Sequence, residues 1–291
     1  MKAPTFGWLE ELCGTSLRTG LALEQVHFRG RTRWQEVLIG SNSEIGRFLA
    51  LDGQLQSAAL DEFIYHESLV HPPLLLHPQP RRVLVLGGGE GATLREALKH
   101  PSVEKVTMVE LDGELIDLCR QHLPEYSRDS FQDPRLELVV GDAWAWMISH
   151  PQKYDIILSD LTEPDEESHS QQLFSRQFFE TARQRLAPGG ILALQASNGS
   201  WGYLQRHRRV RQFCSLHFAE VHSLLVPIPS FGCSWGFLLA RPEGDCAPLP
   251  SAEEFDRRAR ERKVGGLRYL QGSTLAAALA HPGYIVDFLG R

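Results

Sequence analysis

Residues 83–96 read VLVLGGGEGATLRE: an apolar β-branched run, a glycine loop and the first turns of a helix. Gly87, Gly89 and Ala92 satisfy the nucleotide-binding pattern G-x-G-x-x-[GA], in which glycines make a tight turn and let a ligand approach the backbone. The next apolar run, KVTMVEL (105–111), ends with Glu110, where a carboxylate can accept hydrogen bonds from both hydroxyls of a ribose. The stretch predicts strand, loop and helix within an open α/β sheet.

The pattern continues outward. LELVVGD (136–142) precedes helical AWAWMISH, DIILSD (155–160) precedes SRQFFETARQRL, and GILALQAS (190–197) precedes another helical stretch. Such alternation means βαβ units and a Rossmann-like, mostly parallel sheet of class I methyltransferase type, covered on both faces. Upstream, LALEQVHF (21–28), RWQEVLIG (33–40) and RFLALDGQLQS (47–57) read as three short segments of a small antiparallel β unit. A helix over LDEFIYHESLVH (60–71) follows, with Asp61 and Glu62 suited to its first turn. Four prolines in HPPLLLHPQPRR (71–82) are expected to interrupt any regular element. These signals divide the chain into residues 1–78, an N-terminal β domain with a linking helix, and 79–291, the catalytic domain.

Composition excludes several classes. A net charge of -6 offers no general attraction to nucleic acid or anionic membrane. No apolar run approaches the roughly 20 residues of a membrane-spanning helix. MKAPTFGWLEELCG, at the start, has no apolar segment of the signal-peptide kind. Five scattered cysteines without CxxC spacing argue for a reducing cytoplasm and against a disulfide framework or zinc site. His66, His71 and His77 have no acid or cysteine in ligand spacing, so no metal is expected. Trp144 and Trp146 read as core or interface residues, and RHRRVR (206–211) and RRARERK (257–263) as solvated helix faces.

IILSDLTEPDEE (156–167) raises the chemical question, because a buried strand stops at Asp160 and discharges into acid. Ligands of open α/β sheets bind outside the carboxyl ends of the strands, so Asp160 and Glu163 point to a cationic ligand. Glu90 narrows the other ligand. Its carboxylate in the glycine loop would repel a pyrophosphate, which disfavours a dinucleotide. S-adenosylmethionine has no phosphate, and its decarboxylated form keeps only an amine at that end. Asp142, ending the third strand beside Ala143, is placed to accept from an adenine amino group or to cap the next helix.

Five stretches then carry a resemblance: LDGQLQSAALDEFIYHESLVHPPL, GGGEGATLREALKHPSVEKVTMVELD, DPRLELVVGDA, SDLTEP and IPSFGCSWGF. In this order they resemble the spermidine/spermine synthase family, the polyamine aminopropyltransferases, over nearly the full chain. The resemblance implies a small N-terminal β domain on a Rossmann-like domain and a homodimer or homotetramer. It implies aminopropyl transfer from decarboxylated S-adenosylmethionine, a co-substrate rather than a bound cofactor, to an amine, with methylthioadenosine released. Carried over residue by residue, Glu110 holds the ribose, Asp142 and Ala143 the adenine, and Glu90 the amine of the aminopropyl arm. Gln35, Tyr65 and His66 match positions that line the cleft. Asp160 matches the catalytic aspartate and Glu163 its partner acid. Gln195, Phe231 and Trp235 join Tyr65, Asp160 and Glu163 as acceptor-binding residues.

Three departures mark the acceptor end. Glu163 replaces the usual Asp, DEESHSQQLF stands where a G-P-A segment commonly follows, and Phe231 replaces a common Tyr. The last two, with GGGEG and DLTEP, resemble the thermospermine-synthase branch and related bacterial enzymes, so spermidine is the expected acceptor, with putrescine or agmatine as alternatives. Methyl transfer on the same fold, or polyamine sensing without turnover, are the other readings. A free alkyl amine has a pKa of about 10.4 and must be neutral to attack, so Asp160 is expected to act as general base.

Overall fold

The computed structural model describes residues 6–13, 17–162, 175–242 and 248–290. Its chain opens with a hairpin of β1 (Trp8–Cys13) and β2 (Leu17–Ala22). A four-stranded antiparallel meander follows: β3 (Gln25–Arg31), β4 (Glu36–Asn42), β5 (Gly46–Leu51) and β6 (Gln54–Ala58). RFLALDGQLQS is thus two strands rather than one segment. The chain reverses at Asp52 and Gly53, whose φ values of 47° and 77° suit the two-residue Asp-Gly hairpin turn.

The prolines do not end the linking helix. α1 runs Glu62–Leu76 through Pro72 and Pro73. Each proline removes an N–H and crowds the carbonyl four residues back. Leu69, Val70, Leu74 and Leu75 are nevertheless wholly buried, at about 1.5–3 kcal/mol each, which outweighs the lost bonds. Asp61 does not cap the helix with its side chain; its Oδ2 accepts the Ser230 backbone N–H at 2.6 Å. Although α1 reads as part of the N-terminal unit in the sequence, it packs on the following sheet.

That sheet has seven strands: β7 (Arg82–Gly87), β8 (Lys105–Glu110), β9 (Leu136–Val140), β10 (Tyr154–Asp160), β11 (Leu186–Asn198), β12 (Glu220–Ile228) and β13 (Cys233–Arg241). Their order is β12-β13-β11-β10-β7-β8-β9, parallel from β11 to β9, with β13 antiparallel to both its neighbours. The antiparallel β12–β13 pair was not read from the sequence. Helices α2 (Ala92–Leu98), α3 (Gly113–His122), α4 (Pro124–Ser127), α5 (Ala143–Ser149), α6 (Arg176–Arg185) and α7 (Gln205–Ser215) lie between the strands. α8 (Ala252–Glu261), α9 (Gly272–Leu279) and α10 (Gly283–Leu289) close the chain.

Alternation along β7 shows how the sheet is filled. Val83 and Val85 face one core with α1, while Leu84 and Leu86 face the other with Phe178 and Phe179 of α6. Both faces are buried, as a parallel sheet requires. No described helix is long and apolar enough to cross a membrane.

Candidate active site

The strand order reverses between β8, β7 and β10, so the carboxyl ends of β7 and β10 form the switch point where ligands of such sheets bind. Gly87 pairs with Asp160 there. Gly87 has φ 79°, and a Cβ on it would lie 2.3 Å from the Asp160 carbonyl oxygen. Only glycine lets the loop turn this close to the neighbouring strand. The Asp160 carboxylate is held at both oxygens: Tyr65 Oη donates to Oδ1 at 2.8 Å and Thr93 Oγ1 to Oδ2 at 2.5 Å. Tyr65 comes from α1 and Thr93 from the first turn of α2, so three elements fix one carboxylate. Thr93 was not singled out by sequence reasoning, although it follows the glycine loop directly. Two lone-pair positions of the carboxylate remain for a substrate ammonium.

Glu110 ends β8 beside the loop. A Cβ at Gly89 would come within 3.3 Å of its carboxyl, so a side chain there would crowd Glu110. Glu110 Oε1 accepts the Asp112 N–H at 2.9 Å. Asp112 Oδ2 in turn accepts from Gln35 Nε2 at 2.9 Å and Thr32 Oγ1 at 2.6 Å, which brings the β3–β4 turn of the N-terminal sheet over this side. Gln35 therefore lies near Glu110, with its amide donating to Asp112.

Burial is the main influence on Glu110 and pushes its carboxyl up; the Asp112 N–H lowers it less, Asp112 and Asp160 raise it, and the result is about 7. An acid raised this way is about half ionised near pH 7, and the ionised form accepts more strongly from two hydroxyls, one on each oxygen. Methylthioadenosine, which carries the ribose but no aliphatic amine, should bind more tightly as pH rises from 6 to 8. Isothermal titration across that range should show the change, and Glu110→Gln should abolish it. A flat wild-type profile would separate Glu110 from the ribose.

Asp142 is exposed and caps α5: its Oδ1 accepts from Trp144 N at 2.7 Å and Ala145 N at 3.2 Å. The capping alternative is realised, and Oδ2 has no bond to these amides. Ala143 is buried at the helix start.

Glu90 is 7% exposed and is not a bare carboxylate. Its Oε2 accepts from Ser57 Oγ at 2.5 Å, and its Oε1 lies 2.9 Å from His66 Nε2. His66 is buried, and its Nδ1 meets Glu62 Oε2 at 3.0 Å. Burial alone would push His66 down, but hydrogen bonds and charge from Glu62 and Glu90 outweigh it and lift the ring to about 10. Beyond it, Arg95 Nη2 donates to Glu62 at 2.8 Å and Arg95 Nε to Glu96 at 2.8 Å. Glu96 meets His71 Nε2 at 2.8 Å. Sequence reasoning found Glu90 and His66 but not Ser57, Glu62, Arg95 and Glu96, which lie up to 33 residues away.

The remaining part is a small, partly open cleft lined by Tyr65, the partner of Asp160, and by Leu161, the residue after it. Tyr65, Phe231 and Trp235 form its aromatic wall, with ring centroids 6.3 Å and 5.1 Å apart in edge-to-face contacts. Such rings suit both methylene chains and ammonium groups. Gln54 and Gln56 of β6 also line it and were not anticipated. Gln195 lines it, its amide donating to Leu161 O at 2.6 Å and accepting from Ser197 N at 3.0 Å. Glu163, with Asp165, Glu166 and Glu167, lies outside the described residues.

Two family models match the chain: a spermine/spermidine synthase domain over residues 62–247 and a spermidine synthase tetramerisation domain over 7–58. The chain belongs to the spermidine/spermine synthase family. Among relatives, polyamine aminopropyltransferase 2 of Pseudomonas aeruginosa is 43% identical, covering 91% of this chain and 79% of that protein. Thermospermine synthase ACAULIS5 of Arabidopsis thaliana is 37% identical over 93% of this chain and 79% of its own length. A crystal structure of spermidine synthase with the transition-state analogue AdoDATO superposes with a TM-score of 0.90 at 28% identity, covering 99% and 97% of the two chains. Fold and enzyme class therefore agree with the sequence reading: an aminopropyltransferase, with decarboxylated S-adenosylmethionine as the family's donor.

Proposed function

We propose that this aminopropyltransferase uses spermidine as its preferred acceptor, making a tetraamine such as thermospermine and releasing methylthioadenosine. The observation that carries the chemistry is the Asp160 carboxylate, fixed at the switch point by Thr93 and by Tyr65, which also lines the aromatic cleft. The donor lies with its ribose at Glu110, its adenine by Asp142 and Ala143, and its ammonium toward Glu90. The neutral acceptor nitrogen attacks the carbon on the sulfonium, the C–S bond breaks, and its electron pair leaves sulfur neutral. Asp160 accepts the proton lost by the attacking nitrogen, and Glu163 holds a neighbouring amine. Holding nitrogen, carbon and sulfur in line supplies the other large part of the rate.

The acceptor reading rests on the cleft. Phe231 and Trp235 offer an apolar wall for a long methylene chain, and Gln54 and Gln56 offer amide oxygens to a distant ammonium. The similarity to a thermospermine synthase supports the same choice. Comparing kcat/KM for spermidine, putrescine and agmatine tests it, with spermidine expected to lead; putrescine or agmatine equalling it would overturn the assignment. We further infer a small-molecule partner rather than nucleic acid, a homodimer or homotetramer built through residues 7–58, and work in the cytoplasm. The negative net charge, the tetramerisation-domain match and the scattered cysteines support these points.

A further inference from the structure

We propose that Glu62 is a positioning residue for the donor: acting through His66, it fixes the Glu90 carboxylate that receives the donor's ammonium. The inference rests on the reading that Glu90 meets that ammonium. Glu62 itself sits one side chain further back, buried on α1.

The geometry at His66 leaves one arrangement. Its Nε2 faces Glu90 Oε1 at 2.9 Å, and its Nδ1 faces Glu62 Oε2 at 3.0 Å and the Glu62 carbonyl at 2.6 Å. All three partners are acceptors, so both ring nitrogens must donate, and only the imidazolium has two N–H groups. A neutral ring would set a nitrogen lone pair against a carboxylate or a carbonyl in a largely buried site. Arg95 holds Glu62 from behind at 2.8 Å and binds Glu96 on its other side. The string Glu90, His66, Glu62, Arg95, Glu96 alternates in sign, and each member is at most 8% exposed. No member can relax by swinging into solvent. Among the described residues, Tyr126 on α4 and Cys119 on α3 also feel the charge of Glu90, and burial pushes both well up, which keeps them neutral.

Removing the Glu62 charge has two possible consequences, and both weaken donor binding. If His66 keeps its proton, the site gains one positive charge that repels the donor. If His66 loses it, the net charge is unchanged, but the residue 62 carbonyl at 2.6 Å holds the one remaining proton on Nδ1, and Glu90 faces a bare Nε2 and loses its fixed orientation. Ser57 alone then holds the carboxylate.

The test uses the full-length enzyme and Glu62→Gln. KM for the decarboxylated donor should rise roughly tenfold, a middling value for coupled neighbours. KM for the acceptor should stay within about twofold, and the affinity for methylthioadenosine, which has no ammonium, should not change. Nitrogen-15 NMR of the histidines, with the His66 signals assigned by their loss in His66→Gln, adds a direct signature. In the wild type both ring nitrogens should be protonated at pH 8, because hydrogen bonds and charge from Glu62 and Glu90 outweigh burial and lift the ring to about 10. In Glu62→Gln the ring should titrate near the ordinary value of about 6.5. A neutral His66 in the wild type at pH 8 would overturn the proposal, even if Glu62→Gln failed to fold. So would a folded Glu62→Gln with unchanged donor KM when Glu90→Gln raises it. Unchanged donor KM in Glu90→Gln would instead remove the contact between Glu90 and the ammonium, a separate failure.

Discussion

Asp160→Asn is expected to lower kcat by at least about 10²-fold, the lower end for loss of a general base, while methylthioadenosine binding is kept. Asparagine keeps the shape of the carboxylate and can still accept from Tyr65 or Thr93 through its one oxygen. It cannot take the proton that the acceptor nitrogen must lose, and its NH2 would face one of the two hydroxyls. Those hydroxyls can rotate to accept, so the fold should survive. Steady-state rates of methylthioadenosine release, with product affinity measured separately, check the prediction. Near-normal turnover in the folded variant would remove Asp160 from proton transfer.

Arg95→Ala is expected to cost about 3–5 kcal/mol of stability, the range for stripping one partner from a buried ion network. Arg95 is the only cation bonded to both Glu62 and Glu96 among the described residues. Its loss leaves Glu62 with His66 alone, and Glu96 with His71 and Lys99. Lysine should rescue little, since a point charge cannot bridge two carboxylates as the guanidinium fork does. The pH dependence follows from Glu62. Burial pushes its carboxyl up, but His66 and Arg95 outweigh that and bring it from 4.5 to about 2. A depressed acid stabilises the fold fully above its unfolded value and loses that contribution as pH falls toward the folded one. The cost of Arg95→Ala should thus shrink between about pH 4.5 and pH 2. Urea unfolding at several pH values reads both effects; a loss below about 1 kcal/mol at pH 7, as for an exposed pair, would contradict the network's role.

Much of the fold was legible because its signals are local. The run VLVLG, the glycine loop and the helix start sit within one stretch, and the register of Gly87 with Asp160 follows from β7 and β10 being neighbours. What the sequence left hidden is non-local. Ser57 reaches Glu90 across 33 residues, Thr93 reaches Asp160 across 67, and Tyr65 across 95. No periodicity encodes such contacts. The helix through Pro72 and Pro73 was hidden for another reason: tertiary burial overrode a local rule. Glu90 was found by its charge in the loop, but its imidazolium partner needed the geometry, since His66 in a sequence carries no sign of its protonation state.

Product identification tests the central claim most directly. The enzyme is incubated with spermidine and either decarboxylated S-adenosylmethionine or S-adenosylmethionine, and the products are read by mass spectrometry. Aminopropyl transfer at Asp160 requires methylthioadenosine and an acceptor heavier by one aminopropyl unit, formed from the decarboxylated donor and lost in Asp160→Asn. S-adenosylhomocysteine with a methylated amine, or intact donor and acceptor after prolonged incubation, would contradict it.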